Sequence, residues 1–82
     1  MASYYVYIVL CEDGSLYTGY TRDVLLRLEL HMSGKGAKYT RTHKPKRLFY
    51  IEEFNSKAEA MKRERVIKNL KHRQKLALRT LH

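Results

Sequence analysis

YYVYIVLCEDGSLYTGYT, residues 4–21, has the composition of a β-hairpin. Residues 4–10 are mostly aromatic or β-branched, which is typical of a strand. The sequence Glu12-Asp13-Gly14 is a turn signal, and residues 15–21 have the pattern of a returning strand. The stretch therefore predicts two antiparallel strands joined by a tight turn.

The register of this hairpin determines which tyrosines lie together. A two-residue turn at Asp13-Gly14 would place Tyr7 opposite Tyr20. A three-residue loop with a left-handed Gly14 would instead place Tyr7 opposite Gly19. We favour the three-residue loop, because glycine suits the left-handed residue of a bulged turn. In this register one face of the hairpin carries Tyr5, Tyr7, Tyr17 and Gly19.

The remaining sequence predicts helices on a small sheet. Thr21 or Asp23 can cap a helix that runs to about Ser33, with Gly34 ending it. A glycine- and lysine-rich loop is expected up to Pro45. The other predicted elements are a strand at 48–51, a helix from the capping box at 56–59 to about Leu70, and a short helix at about 72–81. The apolar residues expected to face the core from the first and last helices are Val24, Leu25, Leu28, Met32, Leu76, Leu78 and Leu81.

The order ββαβαα predicts an α+β fold with a three-stranded antiparallel or mixed sheet flanked by helices. The length of 82 residues indicates a single domain, residues 1–82. Cys11 is the only cysteine, no apolar run is long enough to span a membrane, and the polar start is unlike a signal peptide. We expect a cytoplasmic protein with no membrane partner.

The charge is strongly positive, with 17 Lys and Arg against eight Asp and Glu and a net charge of +9. Such an excess attracts polyanions, of which nucleic acid is the commonest in cells. The alternative is a solvated basic surface without a partner. The stretch 35–47 contains cations and no acid, and its candidate nucleic-acid-binding residues are Lys35, Lys38, Tyr39, Arg41, Lys44 and Lys46.

Glu64 is an unusual carboxylate in a basic helix. Helical spacing places it on the side of the apolar residues Ala60, Met61, Ile67 and Leu70. A carboxylate at the edge of the core is costly unless it is paired or binds a metal. An ion pair with Arg27 is therefore one interpretation, and a Mg²⁺ site completed by water and phosphate is the other.

Arg27 and His31 are neighbours at i and i+4 on the first helix. Arginine is suited to clamp a phosphate, and histidine can contact a phosphate, relay a proton or simply pack at a helix end. Strand propensity alone explains Tyr7 and Tyr17, so their spacing does not by itself indicate catalysis. The histidines and Cys11 lack zinc-ligand spacing, and no nucleotide-binding loop is present.

Taken in order, these residues resemble the GIY-YIG nuclease domain, and in particular its small bacterial UPF0213-type members. Tyr5-Val6-Tyr7 and Tyr17-Thr18-Gly19 match the two defining triplets. The similarity continues through Arg27, His31, residues 36–40 and Glu64, and spans residues 4 to about 70. Two departures are Tyr5 in place of the first glycine and Tyr20 where many catalytic members have a lysine.

The resemblance implies hydrolysis of a DNA phosphodiester with one Mg²⁺ or Mn²⁺ ion. By position, Glu64 would hold the cation, Arg27 the scissile phosphate, and Tyr7 and Tyr17 the attacking water. His31 and Tyr39 would complete the phosphate-facing surface. Branched or single-stranded DNA is the expected substrate, because so small a domain can contact only a short length of backbone. The alternatives are a noncatalytic nucleic-acid-binding module with the same fold, and a protein-interaction domain.

Overall fold

Three strands and four helices make up the fold, as seen in a computed structural model that describes residues 3–78. The strands are β1, Tyr4–Cys11; β2, Leu16–Thr21; and β3, Pro45–Phe54. The helices are α1, Val24–Met32; α2, Lys38–Thr42; α3, Lys57–Lys68; and α4, His72–Ala77. The predicted α+β class is confirmed.

β1 is the central strand of an antiparallel sheet with the order β2-β1-β3. The hairpin between β1 and β2 has the three-residue register, with Tyr7 opposite Gly19 and Val9 opposite Tyr17. Gly14 has φ of 87°, in the left-handed region that glycine adopts without steric cost. The loop chemistry therefore places the tyrosines on one face as predicted.

The two faces of β1 have different neighbours. Val6 and Ile8 are buried in an apolar core that Ala60 and Ile67 of α3 complete from one side. Tyr7 points to the opposite face, where it contacts His31 of α1. Because side chains alternate along a strand, a single strand supplies both the core and the opposite face.

Helix α1 begins after Asp23, whose carboxylate accepts a hydrogen bond from the Leu26 N–H at 3.1 Å. Its predicted apolar stripe is partly wrong, because Leu25 is 80% exposed and Met32 53% exposed. The buried residue of α1 is His31. The narrow sheet covers only the stripe of α1 centred on this histidine, so apolar side chains beside that stripe remain in solvent.

The segment expected to be a loop contains the helix α2, and the third strand is longer than predicted. β3 begins at Pro45 rather than residue 48, and it pairs along the whole of β1. Pro45 is tolerated because it is the first residue of an edge strand. A five-residue helix has no stability of its own, so α2 depends on tertiary contacts that a local pattern does not reveal.

Helix α3 is slightly shorter than predicted, and α4 begins at residue 72 as predicted. Ser56 caps α3 by accepting a hydrogen bond from the Glu59 N–H at 3.2 Å. In the last helix Leu78 is buried, whereas Leu76 is 41% exposed and does not face the core as expected. The prediction for Leu81 falls outside the described residues. Within residues 3–78, no helix is long and apolar enough to cross a membrane.

Candidate functional site

A buried pair, Tyr7 and His31, lies at the centre of the site. The Tyr7 hydroxyl is 2.8 Å from Nε2 of His31. Tyr7 is 2% exposed and His31 fully buried. A phenol on the central strand and an imidazole on α1 are thus joined by a hydrogen bond out of contact with solvent.

The burial of His31 corrects its expected place on a phosphate-facing surface. A fully buried imidazole cannot bind a phosphate directly. Of the roles that the sequence leaves open, its contact with Tyr7 is the geometry required for proton transfer. Its burial also fits the packing role, because the ring lies between β1 and α2.

Helix α2 closes over His31 on the side away from Tyr7. Nδ1 of His31 is 2.7 Å from the Thr40 hydroxyl, which lies 3.1 Å from the Ala37 carbonyl oxygen. A Cβ at Gly36 would overlap the imidazole ring, so the loop before α2 can approach only because this residue lacks a side chain. Neither Gly36 nor Thr40 is identified individually by the sequence reasoning, although both lie in the segment 36–40 that carries the resemblance.

Arg27 and Tyr17 lie beside the Tyr7 hydroxyl. The Arg27 guanidinium interacts with both phenols, and these interactions raise its own pKa. The ring centroid of Tyr17 is 6.4 Å from that of Tyr7 and 5.2 Å from that of His31. The structure therefore brings together four of the predicted site residues, contributed by β1, β2 and α1.

Burial determines the protonation states in this cluster. It raises the pKa of Tyr7 to about 12, while Arg27 acts in the opposite direction and Tyr17 and Glu64 add smaller increases. Burial, with a smaller contribution from Arg27, lowers the pKa of His31 below its usual value. At neutral pH the resting site thus contains a protonated phenol and a neutral imidazole.

Gly19 determines how closely the hairpin approaches Tyr7. A Cβ at this position would lie 2.7 Å from the Tyr7 hydroxyl oxygen and 3.2 Å from a ring carbon of Tyr17. The space left by the missing side chain is therefore filled by the two tyrosines themselves. The second triplet needs its glycine for this contact.

Glu64 lies on α3 close enough to Tyr7 to influence its pKa. Its side chain is 17% exposed, and its carboxylate is 3.3 Å from the ammonium group of Lys68. The predicted alternative of an ion pair with Arg27 is therefore wrong for this structure. Ala60 and Ile67 are buried beside Glu64 as expected, but Met61 is 37% exposed and not part of the core.

The carboxylate of Glu64 fits a cation that takes few protein ligands. Among residues 3–78 there is no group of three His, Cys, Asp or Glu side chains placed to hold a metal ion. Mg²⁺ commonly binds through one or two carboxylates, with water and substrate phosphate completing the shell. Lys68 is 52% exposed, so its side chain can swing away from the carboxylate into solvent.

An exposed basic segment adjoins the cluster. The predicted cations Lys35, Lys38, Arg41, Lys44 and Lys46 are all exposed. Tyr39, also predicted, is stacked on His43 with a centroid distance of 3.9 Å and an interplanar angle of 4°, and its ring lies 5.8 Å from that of Tyr17. His43 was not predicted, because its stacking depends on the helical spacing of α2.

Tyr5 does not join the cluster. It is half-buried and lines an apolar cavity of about 380 Å³ with Leu25, Leu48 and Ile51. Its apolar neighbours there are Leu25, Leu48 and Ile51, and the structural role expected for Tyr5 stays a prediction.

Comparison with known proteins identifies the family of the chain. The GIY-YIG catalytic domain matches residues 3–77, nearly the whole chain. The chain belongs to the GIY-YIG family. It is 56% identical over 78 residues to a UPF0213 protein of Staphylococcus haemolyticus and 53% identical over 78 residues to one of Staphylococcus aureus, with 95% of each chain covered in both cases.

Two solution NMR structures of similar proteins share this GIY-YIG fold. A UPF0213 protein of Bacillus halodurans is 53% identical, with a TM-score of 0.62 over 96% of this chain and 84% of that one. A protein of E. faecalis is 42% identical, with a TM-score of 0.67 over 100% of this chain and 88% of that one.

Tyr20 marks how this GIY-YIG chain differs just after the second triplet. It pairs with Val6 in the sheet and packs partly buried against the core, on the face opposite Tyr7. The residue at this position therefore contributes packing in this chain and does not add a cation to the cluster.

The buried imidazole predicts a loss of stability in mild acid. Because the folded pKa of His31 lies below the unfolded value of about 6.5, the unfolded chain binds more protons as the pH falls through this range. We expect the free energy of unfolding to decrease between about pH 7 and pH 5, by at most about 1.4 kcal/mol per pH unit from this group. Urea denaturation at several pH values measures the slope.

The matched variant for this prediction is His31→Asn, which has no titrating side chain. Its slope over the same pH range should be flatter than that of the wild type. Asp13, whose pKa is lowered chiefly by its hydrogen bond with the Ser15 side chain, adds acid sensitivity only at lower pH. Equal slopes for both proteins would show that His31 is not the source of the acid sensitivity.

Proposed function

We propose that this protein is a metal-dependent DNA endonuclease that hydrolyses a phosphodiester bond. One observation carries the proposal: Tyr7, Tyr17, Arg27 and His31 form one cluster, beside an acidic Glu64 and an exposed basic segment. A nucleophile-positioning group, a phosphate clamp and a carboxylate are the parts that phosphodiester hydrolysis requires.

Arg27 is proposed to bind the scissile phosphate. Its guanidinium lies beside two phenols, and among residues 3–78 it forms no salt bridge with a carboxylate. A guanidinium stays charged at any working pH and can stabilise the charge that develops on the phosphoryl oxygens. The two tyrosines hold this group in place before the substrate arrives.

Tyr7 and Tyr17 are proposed to position the attacking water. Tyr7 is protonated at neutral pH, because burial raises its pKa to about 12. It can act on water only through a hydrogen bond, or by passing its own proton on as it receives another. Its bond to His31 provides an acceptor for that proton.

Glu64 is proposed to hold one Mg²⁺ or Mn²⁺ ion. Such an ion, when bound, supplies Lewis-acid stabilisation of the leaving oxygen. Lys68 must move away from the carboxylate before a cation can bind. Breaking this ion pair costs little free energy, because the lysine is exposed. The half-buried carboxylate keeps the negative charge next to the tyrosine cluster.

Branched or single-stranded DNA is the proposed substrate. The exposed cations between residues 35 and 46 suit a phosphate backbone, and the Tyr39 and His43 rings offer apolar surface for an unpaired base. The helix within this basic segment, α2, has only five residues and is too short to serve as a recognition helix. We therefore propose selectivity for structure and not for sequence.

A noncatalytic nucleic-acid-binding module is the second candidate, and the Lys68 contact favours it. An ammonium group at 3.3 Å already satisfies the Glu64 carboxylate without a metal. If this pair persists on DNA, the protein would bind nucleic acid through its basic segment and leave the phosphodiester intact.

Cleavage of labelled fork, flap and single-stranded DNA separates the two candidates. The endonuclease predicts nicked products with Mn²⁺ or Mg²⁺ and none with EDTA. The binding module predicts retention of the same DNA, weakened by salt, with no product in either buffer. Absence of product from all three substrates, with binding intact, would overturn the endonuclease proposal.

A further inference from the structure

Thr40 is a buried polar residue with two polar neighbours. It is 1% exposed, and its hydroxyl lies 2.7 Å from Nδ1 of His31 and 3.1 Å from the carbonyl oxygen of Ala37. A buried hydroxyl is costly unless it is hydrogen-bonded, so both contacts matter for the stability of α2.

The number of protons available decides the direction of these bonds. A carbonyl oxygen only accepts, so the single Thr40 proton is used in the bond to Ala37. The contact with His31 then requires a proton on Nδ1. If the proton were on Nε2, the single Thr40 proton would have two acceptors, Nδ1 of His31 and the Ala37 carbonyl oxygen. One of these two contacts would then have no hydrogen between its atoms.

The Ala37 N–H also points at this nitrogen and, because it can only donate, would favour a lone pair on Nδ1. It is 3.5 Å from Nδ1, at the limit of a hydrogen bond, whereas the Thr40 hydroxyl is 2.7 Å from the same atom. The shorter contact therefore determines which ring nitrogen carries the proton.

The opposite side of the imidazole is compatible with this assignment. The Tyr7 hydroxyl lies 2.8 Å from Nε2 of His31 and can donate its proton to a lone pair there. The Arg27 guanidinium, which interacts favourably with Tyr7, has only donor groups and does not compete for this proton. A lone pair on Nε2 and a proton on Nδ1 therefore satisfy the short contacts with Tyr7 and Thr40.

We propose that Thr40 is a positioning residue that holds His31 as the Nδ1–H tautomer, with Nε2 directed at the Tyr7 proton. Its catalytic meaning rests on the proposed nuclease function. There, a proton of the attacking water passes to the Tyr7 oxygen as the Tyr7 proton passes to Nε2. The products of this step are hydroxide, a neutral phenol and an imidazolium whose Nδ1–H remains bonded to Thr40.

This assignment gives α2 a role beyond contact with DNA. The helix carries exposed Lys38 and Arg41 on its outer side and Thr40 on its inner side. The element that offers cations to the backbone is therefore the element that orients the base. Gly36 permits this docking, because any side chain at that position would displace the imidazole.

The tautomer is measurable by NMR without DNA or metal. In ¹⁵N-labelled protein at pH 7, we expect the His31 Nδ1 resonance to be pyrrole-like and the Nε2 resonance to be pyridine-like. Thr40→Val removes the hydroxyl at similar volume and should shift both resonances toward a tautomer mixture. Thr40→Ser keeps the hydroxyl and should restore the wild-type pattern.

Thr42→Val is the matched control on the same helix. Its hydroxyl bonds Tyr39 and His43 instead, so the His31 resonances should not move. A wild-type His31 with the proton on Nε2 would overturn the proposal, and so would a Thr40→Val protein with unchanged tautomer. The wild-type and Thr40→Ser spectra decide the matter even if Thr40→Val fails to fold.

Cleavage then tests the catalytic part separately. If the wild type cuts DNA, Thr40→Val should lower the single-turnover rate by about 100-fold with an unchanged dissociation constant for DNA. An unchanged rate together with a changed tautomer would overturn the catalytic role of the tautomer. If the wild type does not cut, the NMR result still stands, and the proposed function fails by itself.

Discussion

Glu64→Gln is expected to lower DNA cleavage by at least about 100-fold, because removing one preorganised charge from a phosphoryl-transfer site has an effect of this size. The amide keeps the shape of the side chain but no longer offers a negative charge to a cation. The same change should leave stability almost unaltered. The ion pair that it removes, with the exposed Lys68, is an i,i+4 helix pair of a kind worth about 0.3–0.5 kcal/mol.

Two variants provide matched controls for this result. Glu29→Gln removes an exposed carboxylate from α1 and should cut as the wild type does. Lys68→Ala removes the partner of Glu64 and should preserve cleavage or lower the metal concentration that it requires. Rates from single-turnover assays and melting temperatures measure both effects, and wild-type cleavage by Glu64→Gln would contradict the proposed metal site.

Arg27→Lys is expected to reduce cleavage by about 100- to 1,000-fold although the positive charge remains. The guanidinium interacts with Tyr7 and Tyr17 at once, and a single ammonium group cannot reproduce that planar fork. The pKa of Tyr7 should also rise further, since Arg27 acts against the effect of burial. DNA binding should persist, because the basic segment is untouched.

Arg22→Lys is the corresponding control. Arg22 is exposed, and its guanidinium lies 5.3 Å from the centroid of the Tyr4 ring. The same substitution there should leave the cleavage rate near that of the wild type. Single-turnover cleavage and fluorescence anisotropy separate the loss of chemistry from the loss of binding. Comparable rates for Arg27→Lys and the wild type would show that a point charge is sufficient.

The sequence contains enough information for the sheet and its register. Gly14 in the third turn position indicates the bulged loop, and that loop fixes Tyr7 opposite Gly19. The strand propensities of residues 4–10 and 15–21 agree with this pairing. Where local chemistry and pairing agree, a prediction from sequence is well determined.

The parts that sequence did not predict depend on tertiary contacts. Leu25 has the spacing of a core residue, but the sheet is too narrow to cover it. Helix α2 has no capping side chain and no apolar stripe, so no local signal indicates a helix. It forms where Thr40 and Gly36 fit against His31, and that fit exists only in the folded chain.

The sequence predicted which residues form the candidate site better than it predicted how they are arranged. Tyr7, Tyr17 and Arg27 lie together as their order along the chain suggested. The predicted partner of Glu64 was wrong: Arg27 was suggested, and Lys68 was expected to point elsewhere, whereas the carboxylate pairs with Lys68 one turn along the same helix. The histidine was expected near phosphate, but its burial depends on α2, which sequence did not reveal.

The contact between His31 and Thr40 joins two parts of the chain that differ in how readily they open. β1 is hydrogen-bonded to strands on both sides, so its amide protons are of the kind that exchange only when most of the molecule unfolds. α2 is a single short turn whose amides can exchange through local opening. When α2 opens, His31 loses Thr40 while Tyr7 stays in the sheet. If the proposed proton transfer operates, local opening of α2 would therefore interrupt it in molecules whose sheet is still folded.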